Sequence, residues 1–415
     1  MTESRSAGAE RRPRRLWIFI PVFVLLAICL LVYLFMTGER GLSGNPPAPR
    51  KLEITRLSAA ETERLGWSPA RLDAAFDHAA GLSSDVLMIV TEGQVVGAFG
   101  DTAKPYPVHS IRKSLLSALI GQHIGAGPKQ IRLEATLAEL GIDDSPQPLT
   151  PLQKRASVRD LLRNLSGINH PAAQEAGLTA EKDRRLGKGE NPPGTVWAYN
   201  NWDHNVLTTI FETRTGLPVA EAFAAGIAAP LGLRDFTPDA VSYGEEPALS
   251  QHRAAAFRMS GRDLARFGKL YLDKGASEGA EILPASWIER IAAEAVPTEI
   301  EGLRSGYAYL WWLPGPESGL PTGSFWAWGL GNQGLFVVPA WRTVIVHQAD
   351  TAEFRKRFFG LIERDGMAAE AALEELALSC LEPANRTSEF CVEHRFILRR
   401  EFAELLSLIA QARDR

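Results

Sequence analysis

The stretch that decides the fold runs from Val108 to Gly121 and reads VHSIRKSLLSALIG. Apart from Arg112 and Lys113, the residues after Ser110 are uncharged, and the apolar ones recur with helical spacing. The pattern therefore predicts a buried helix that begins at Ser110. Free backbone N–H groups at such a helix start stabilise developing negative charge. Lys113 follows Ser110 by three residues, so the two side chains share one face of the helix.

This spacing suits a lysine that assists a serine hydroxyl. A serine needs an adjacent base before it can attack a carbonyl carbon. A lysine serves near pH 7 only if burial or a nearby cation lowers the pKa of its amine enough for a neutral form to exist. A solvated helix start is the alternative interpretation, because S-x-x-K occurs by chance in many chains.

Composition indicates a globular protein with one large domain and appendages. The chain has 415 residues, of which 45% are hydrophobic and 23% are charged, and its net charge is −4. These fractions are ordinary for a soluble fold. The negative net charge and the lack of a basic stripe interleaved with aromatic residues argue against nucleic acid as a partner.

The N-terminus predicts a membrane anchor. Residues 1–15 contain five arginines, and residues 16–36 form an uncharged, apolar run. That run is long enough to cross a bilayer as a helix, and the arginines are expected to stay in the cytoplasm. We therefore expect a single-pass segment in the inner (cytoplasmic) membrane, with the rest of the chain periplasmic or extracellular. A cleaved signal peptide is the alternative, but no small-x-small site follows the run.

Residues 37–50 are rich in glycine, serine and proline and predict a linker. The folded domain is expected over residues 51–350. Runs typical of strands lie near both of its ends, and the part between them, to about Asp273, has mostly helical patterns. We predict an α+β fold: an antiparallel sheet built from both ends, with flanking helices and an inserted helical subdomain. The strand runs are Asp85–Thr91, Gln94–Gly100, Ser324–Trp328, Gly334–Val338 and Thr343–His347.

A second chemical stretch, PPGTVWAYNNWD, occupies residues 192–203. Its prolines and glycine predict a loop. The phenol of Tyr199, placed beside a lysine, could share a proton with it, take the serine proton and return it to a leaving group. Asn201 could hold a substrate carbonyl or the lysine. The alternative is a loop tyrosine followed by amides that cap the next helix.

A third stretch, WGLGNQGL, spans Trp328 to Leu335. Glycines before a strand let a backbone approach a ligand closely. A backbone N–H here could join that of Ser110 in an oxyanion hole. The alternative is an ordinary glycine turn between two strands.

The three stretches, in this order, resemble the serine β-lactamase-like hydrolases, the S-x-x-K superfamily of class C β-lactamases, D-alanyl-D-alanine peptidases and many esterases. The similarity is greatest to the branch of 6-aminohexanoate-dimer hydrolases and related carboxylesterases, and it extends from about Ser84 to Ala349. It implies the β-lactamase-like fold.

The resemblance also implies site residues. Ser110 would be the acylated nucleophile, Lys113 its base, and Tyr199 the tyrosine of the Y-x-N motif. The position of the K-T-G motif is occupied by GLGNQ, without the lysine, so the resemblance implies ester or amide hydrolysis rather than β-lactam hydrolysis. The expected substrate-binding or oxyanion residues are Asn201, Gly331, Asn332, Gln333 and Gly334.

His109, His170 and His204 lie near these motifs, so a serine–histidine triad is the rival chemistry. No Gly-x-Ser-x-Gly elbow surrounds Ser110, and we interpret the histidines as pocket-lining or structural. No pair of histidines or cysteines has the spacing of zinc ligands. We expect neither a metal nor a cofactor.

Residues 351–415 predict a helical C-terminal extension, with amphipathic helices over 367–381 and 389–413. We expect these helices to pack on the domain; a partner or membrane surface is the alternative. Cys380 and Cys391 could form a disulfide in an oxidising compartment.

The chain is thus expected to be a membrane-anchored serine hydrolase that acts on a small-molecule ester, amide or peptide. One alternative is a penicillin-binding-type D-alanyl peptidase or a β-lactamase, and another is a non-catalytic binding protein with the same fold. The natural substrate and the oligomeric state are left open by the sequence.

Overall fold

The computed structural model describes residues 54–413, except residues 176–177, 301, 366–371, 373–374, 377–378, 381–384, 386–387, 389, 392–396 and 398. The predicted anchor at 16–36 and the linker at 37–50 lie outside the described residues. Within them, no helix is both long and apolar enough to cross a bilayer.

The strands form one nine-stranded sheet and two small sheets in the described part of the chain. Their bounds are β1 Ile54–Arg56, β2 Val86–Thr91, β3 Gln94–Phe99, β4 Tyr106–Pro107, β5 Val241–Glu246, β6 Ser250–Met259, β7 Ala276–Ser277, β8 Ala280–Glu281, β9 Val296–Pro297, β10 Arg304–Ala308, β11 Trp311–Pro314, β12 Phe325–Gly329, β13 Gln333–Val338 and β14 Thr343–Gln348.

The α-helices separate the early strands from the late ones and also follow the last strand. Their bounds are α1 Ala59–Arg64, α2 Pro69–Gly81, α3 Ile111–Gln122, α4 Val158–Leu162, α5 Thr179–Leu186, α6 Asn201–Thr215, α7 Val219–Phe223, α8 Gly261–Leu272, α9 Ala285–Ala293, α10 Ala352–Asp365 and α11 Arg399–Ala412.

The large sheet confirms the prediction of an antiparallel sheet built from both ends of the domain. Its strand order is β1-β3-β2-β14-β13-β12-β11-β10-β9, so β2 from the N-terminal part pairs with β14 from the C-terminal part. Strands β2 and β3 pair as a hairpin, which is what two strand runs separated only by Glu92 and Gly93 predict. Its two turn residues, Glu92 and Gly93, have φ values of 52° and 79°, which is the backbone of a two-residue hairpin turn.

Helices cover both faces of the sheet because successive side chains of a strand point to opposite sides. On one face α8 packs so closely that a methyl group on Gly268 would lie 2.7 Å from Val344 Cγ1. On the other face, Phe402 of α11 contacts the rings of Phe336 and His347. The core therefore lies in two layers, one on each side of the sheet.

The middle of the chain contains a hairpin that the helical patterns did not predict. Strands β5 and β6 pair with each other, and β6 also pairs with the short β4 that precedes Ser110. The run Ala254–Ala255–Ala256 on β6 has high helix propensity. Tertiary pairing overrides that preference, and the alternation of buried and exposed residues at the start of β6 is that of a strand.

The segment Ser157–Gly167 has the sequence pattern of a capped helix that stops at its glycine, and the helix in the structure is shorter. Ser157 and Asp160 form the capping box expected at its start. The helix ends at Leu162, and Asn164 then adopts a positive φ of 55°. The chain therefore turns away from the helix at Asn164, which is buried, and not at Gly167.

The C-terminal residues join the main core. Phe402, Leu405, Leu406 and Ile409 of α11 are buried, and α11 packs against α2. Packing on the domain was the expected role of this segment. Cys380 and Cys391 form a disulfide, as their positions suggested. Most of the predicted helix over 367–381 lies outside the described residues.

Candidate active site

Ser110 occupies the N-cap of α3, where the predicted helix begins. Lys113 Nζ lies 2.7 Å from Ser110 Oγ, so the two side chains are in hydrogen-bond contact on one face of the first turn. Lys113 is only 2% exposed, and α3 is buried from Ile111 to Gly121. The helix start thus places a lysine amine against a serine hydroxyl away from bulk water.

The surroundings of Lys113 favour its neutral form. Burial, and secondarily the charge of Arg112, lower the pKa of Lys113 well below the ordinary lysine value. When the amine is neutral, the Ser110 hydroxyl can donate its hydrogen bond to Nζ. This is the protonation state that a general base requires.

Tyr199 lies beside Lys113 and Ser110, in the loop that precedes α6. It is buried, and Lys113 Nζ lies 4.9 Å from the centroid of its ring. Burial raises the pKa of Tyr199 to about 12, although the neighbouring Ser110 side chain opposes the shift. The side chain is therefore a neutral phenol near pH 7, able to donate a proton.

The loop is held because Asn200 caps α6. Its side-chain oxygen accepts a hydrogen bond from Trp202 N at 3.1 Å, and its Nδ2 donates to Ile168 O at 2.7 Å. Asn201 is buried as the first residue of α6. Asn200 thus caps α6, as the alternative interpretation of these amides expected. The same cap also holds Tyr199 beside Ser110.

Aromatic rings pack against Tyr199. Trp312 stacks on it with centroids 5.2 Å apart, and Tyr307 and His204 lie at 5.9 Å and 5.1 Å. The guanidinium of Arg304 lies 4.7 Å from the Trp312 ring, and its charge slightly lowers the pKa of Tyr199. The phenol is thereby confined to one orientation.

The nearby histidines bind other groups than Ser110. His109 Nε2 lies 2.6 Å from Thr351 Oγ1, His170 Nδ1 lies 3.1 Å from Asp144 Oδ2, and His204 Nε2 lies 3.1 Å from Asn164 Oδ1. Burial also lowers the pKa of His109 to about 3 and that of His204 well below its ordinary value. The geometry favours the lysine–tyrosine arrangement over a serine–histidine triad.

The third stretch passes beside the serine turn. A methyl group on Gly329, at the end of β12, would lie 2.4 Å from the carbonyl oxygen of Val108, so only glycine fits there. Gly331 has a φ of 75° and packs on Thr351, where a methyl group would lie 2.3 Å from Cγ2. The backbone after β12 is thus shaped by close approaches to the residues around Ser110.

Two expected site residues in this stretch turn their side chains elsewhere. Asn332 Nδ2 donates to Ile397 O at 2.7 Å, and Gln333 Nε2 donates to Ala349 O. Gln333 is fully buried at the start of β13, next to Gly334. Any role of these residues toward a substrate therefore falls to their backbone.

The structure also adds residues to the site that the sequence analysis left without a role. They are the buried Arg112, Tyr307 and Trp312 and the half-buried Arg304. Tyr307 and Trp312 lie in the run GYAYLWW, whose density of aromatic residues was a usable signal. No local pattern in the sequence distinguishes Arg112 and Arg304 from the other arginines of the chain. Only their burial near Tyr199 does so.

The chain is similar to several known proteins. It matches the beta-lactamase family over residues 70–358. It is 31% identical over 160 residues to the 6-aminohexanoate-dimer hydrolase of Paenarthrobacter ureafaciens, covering 36% of this chain and 38% of that protein. It is 26% identical over 184 residues to a D-aminopeptidase of Cereibacter sphaeroides (strain KD131 / KCTC 12085), covering 39% and 35%. The chain thus spans well under half the length of these curated relatives.

Among solved structures, a penicillin-binding protein homologue from Caulobacter crescentus superimposes with a TM-score of 0.52 and 16% identity, covering 72% of this chain and 94% of that one. This likeness concerns the fold. The family match extends over more than half of the chain and includes the serine, tyrosine and glycine stretches. The chain therefore belongs to the beta-lactamase family.

Proposed function

We propose that this chain is a serine hydrolase that cleaves an ester or amide bond through an acyl-enzyme at Ser110. The observation that carries the proposal is the 2.7 Å contact between Lys113 Nζ and Ser110 Oγ, with the Tyr199 ring centroid 4.9 Å from the same Nζ. A serine becomes nucleophilic when a neighbouring base accepts its proton. Membership in the beta-lactamase family supports the same class of reaction.

In the first step, Lys113 accepts the hydroxyl proton while Ser110 Oγ forms a bond to the carbonyl carbon. The lowered pKa of Lys113 supports this role, because it favours the neutral amine. Backbone N–H groups at the start of α3 and between Gly331 and Gly334 would stabilise the tetrahedral oxyanion. Such preorganised donors contribute on the order of 3 kcal/mol each to the transition state.

In the second step, Tyr199 donates its proton to the leaving oxygen or nitrogen as the bond to the carbonyl carbon breaks. The raised pKa of Tyr199, about 12, supports this role because the phenol holds its proton near pH 7. The Lys113 ammonium beside it replaces the proton, so the pair acts as a unit. Water then attacks the acyl-enzyme, gives up a proton to the same pair, and releases the acid and the free Ser110 hydroxyl.

The substrate is proposed to be a small ester, amide or peptide. The names of the two curated relatives, a 6-aminohexanoate-dimer hydrolase and a D-aminopeptidase, support an amide bond among the substrates. We further propose that residues 16–36 anchor the chain in the inner membrane and that the domain faces the periplasm or exterior, which the arginine-flanked apolar run supports.

A fluorophosphonate probe tests the proposal on the purified full-length chain. Mass spectrometry of the modified peptide should identify an adduct at Ser110 in the wild type. The adduct should be lost or strongly reduced in Lys113→Met and Tyr199→Phe. Lys104→Met, which removes a surface lysine paired with Asp350 at 3.1 Å, is the matched control and should label like the wild type.

An unlabelled Ser110 in a chain that gives a cooperative melting transition would overturn the hydrolase proposal. That result would favour a non-catalytic binding protein with the same fold. A labelled Ser110 together with release of D-alanine from muropeptides would instead identify the D-alanyl peptidase.

A further inference from the structure

Arg112, between Ile111 and Lys113, is buried in the first turn of α3. Its side chain is 5% exposed. The guanidinium Nη2 donates a hydrogen bond to Asn205 Oδ1 at 3.0 Å. Asn205 is itself fully buried on α6, and its Nδ2 donates to Ala173 O at 3.0 Å. The neutral Asn205 amide therefore holds the guanidinium, and its own hydrogen bond to Ala173 O holds the amide.

No carboxylate in the described part of the chain lies within ion-pair distance of Arg112. Burial lowers the pKa of Arg112 to about 10, which still leaves it charged near pH 7. A buried cation without a counter-ion lowers stability, and an apolar side chain of similar volume would pack there at less cost. The packing of α3 alone gives no reason for an arginine at this position.

The groups that share this interior are those of the active site. They are Lys113 and His109 from the start of α3, Tyr199 and His204 from the start of α6, and Tyr307 from β10. Burial lowers the pKa of Lys113 and His204, and the positive charge of Arg112 adds to this shift; burial raises the pKa of Tyr199 and Tyr307, and the same charge opposes that shift. Each effect of the Arg112 charge favours a neutral base or a negative oxygen.

This combination suits the proposed reaction. A neighbouring cation in a low-dielectric interior opposes protonation of the lysine and stabilises an anion that forms beside it. Because Asn205 is a neutral amide, it does not cancel the charge of the guanidinium. A carboxylate partner would have cancelled most of it.

We propose that Arg112 is a positioning residue for catalysis: held by Asn205 in the buried first turn of α3, it is a cation without a carboxylate partner that favours a neutral Lys113 amine and negative charge on Tyr199. The inference rests on the proposed function, which makes Lys113 the base. It assigns Arg112 no contact with the substrate.

The test compares Arg112→Met with Arg112→Lys in the full-length chain. With 4-nitrophenyl acetate as the probe substrate, the acidic limb of the kcat/KM profile of Arg112→Met should move to higher pH. At pH 7 we expect a loss of about tenfold that diminishes as the pH rises. Arg112→Lys should keep the limb near its wild-type position because it retains a cation. An equal loss at every pH in Arg112→Met would indicate a merely structural arginine and overturn the proposal.

A second measurement does not depend on turnover. In protein labelled with 15N-lysine, the Nζ signal of Lys113 can be assigned by its absence from Lys113→Met, and its titration midpoint can be followed by NMR. Arg112→Met should raise this midpoint, and Arg253→Met, which removes an arginine stacked on Tyr243 and paired with Glu212, should leave it unchanged. An unchanged midpoint in Arg112→Met overturns the inference, whereas failure of Ser110 to react with the fluorophosphonate overturns only the proposed function.

Discussion

Two lysines of this molecule are buried to the same extent, and their surroundings differ. Lys113 on α3 and Lys182 on α5 are each 2% exposed. Lys182 Nζ donates to Glu175 Oε1 at 2.5 Å and to the backbone oxygen of His170 at 3.0 Å. Lys113 Nζ contacts the Ser110 hydroxyl, has no carboxylate within ion-pair distance among the described residues, and lies beside a second cation, Arg112.

Other charged and polar groups near Lys182 also have hydrogen-bond partners. His170 also faces Asp144, whose carboxylate accepts hydrogen bonds from Trp202 Nε1 at 2.6 Å and Ser250 Oγ at 2.9 Å. We call Asp144, His170, Glu175 and Lys182 the Asp144 cluster. It supplies partners for the charges of the inserted helical region, whereas the interior around Lys113 leaves a buried amine without a carboxylate partner, as the proposed function requires.

Replacing Lys113 by methionine is expected to have the largest effect, and only on activity. Loss of the general base should lower kcat/KM by roughly 10³-fold, while the free energy of unfolding should stay the same or rise by about 1 kcal/mol, since an unpaired buried amine is removed. Parallel kinetics and chemical denaturation would check both values. A large loss of stability would show that Lys113 also supports the fold and would remove the contrast with Lys182.

The same substitution at Lys182 should act on stability alone. Lys182→Met leaves the Glu175 carboxylate, which is 16% exposed, without its partner. We expect the free energy of unfolding to fall by about 2–4 kcal/mol, with kcat/KM per folded molecule unchanged. Denaturant titration measures the loss, and adding Glu175→Gln should restore part of it in a double-mutant cycle. A drop in kcat/KM of the folded protein would contradict the assignment.

Acid should weaken the Asp144 cluster first. Burial alone would raise the pKa of Asp144, but its hydrogen bonds from His170, Trp202, Ser145 and Ser250 outweigh burial and lower the pKa to about 2. The folded pKa thus lies below the ordinary value of 3.8, so the carboxylate contributes stability that is fully present above about pH 4 and lost as the pH falls toward 2.

The contribution of Asp144 should amount to about 2 kcal/mol. Measuring the free energy of unfolding of the wild type and Asp144→Asn between pH 2 and 6 checks it. The variant should lose less stability across this window than the wild type. If the two proteins lost the same stability between pH 6 and pH 2, the sensitivity to acid would arise from residues other than Asp144.

Local patterns in the sequence were sufficient for the main sheet and for the start of α3. The β-rich runs Val86–Thr91 and Gln94–Phe99 and the turn residues Glu92 and Gly93 between them predict the hairpin, because two such runs joined by a two-residue turn pair with each other. Helical periodicity places Lys113 on the face of Ser110 for the same local reason. The β5–β6 hairpin escaped prediction because its alanine-rich strand has high helix propensity, and the pairing with β4, far away in the chain, is not visible in the local sequence.

The site itself was predicted only in part. Tyr199 was a candidate by its motif, but its place beside Ser110 depends on a residue outside 192–203, because Asn200, which caps α6, also donates to Ile168 O. The side chains of Asn332 and Gln333 bind Ile397 and Ala349, residues that the sequence analysis did not connect with them. Arg112 and Arg304 were missed because a charged residue in a sequence does not reveal whether it will be desolvated.

By itself, the sequence determined the antiparallel sheet from both ends, the helix that starts at Ser110 and the three-residue spacing to Lys113. These features depend on the period of a strand or helix, which a few neighbouring residues define. Only the tertiary structure decided that Lys113 is left without a carboxylate while Lys182 receives Glu175, that Arg112 binds Asn205, and that α11 completes the core. Burial and charge pairing arise between residues far apart in the chain, so they exist only once the whole fold has packed.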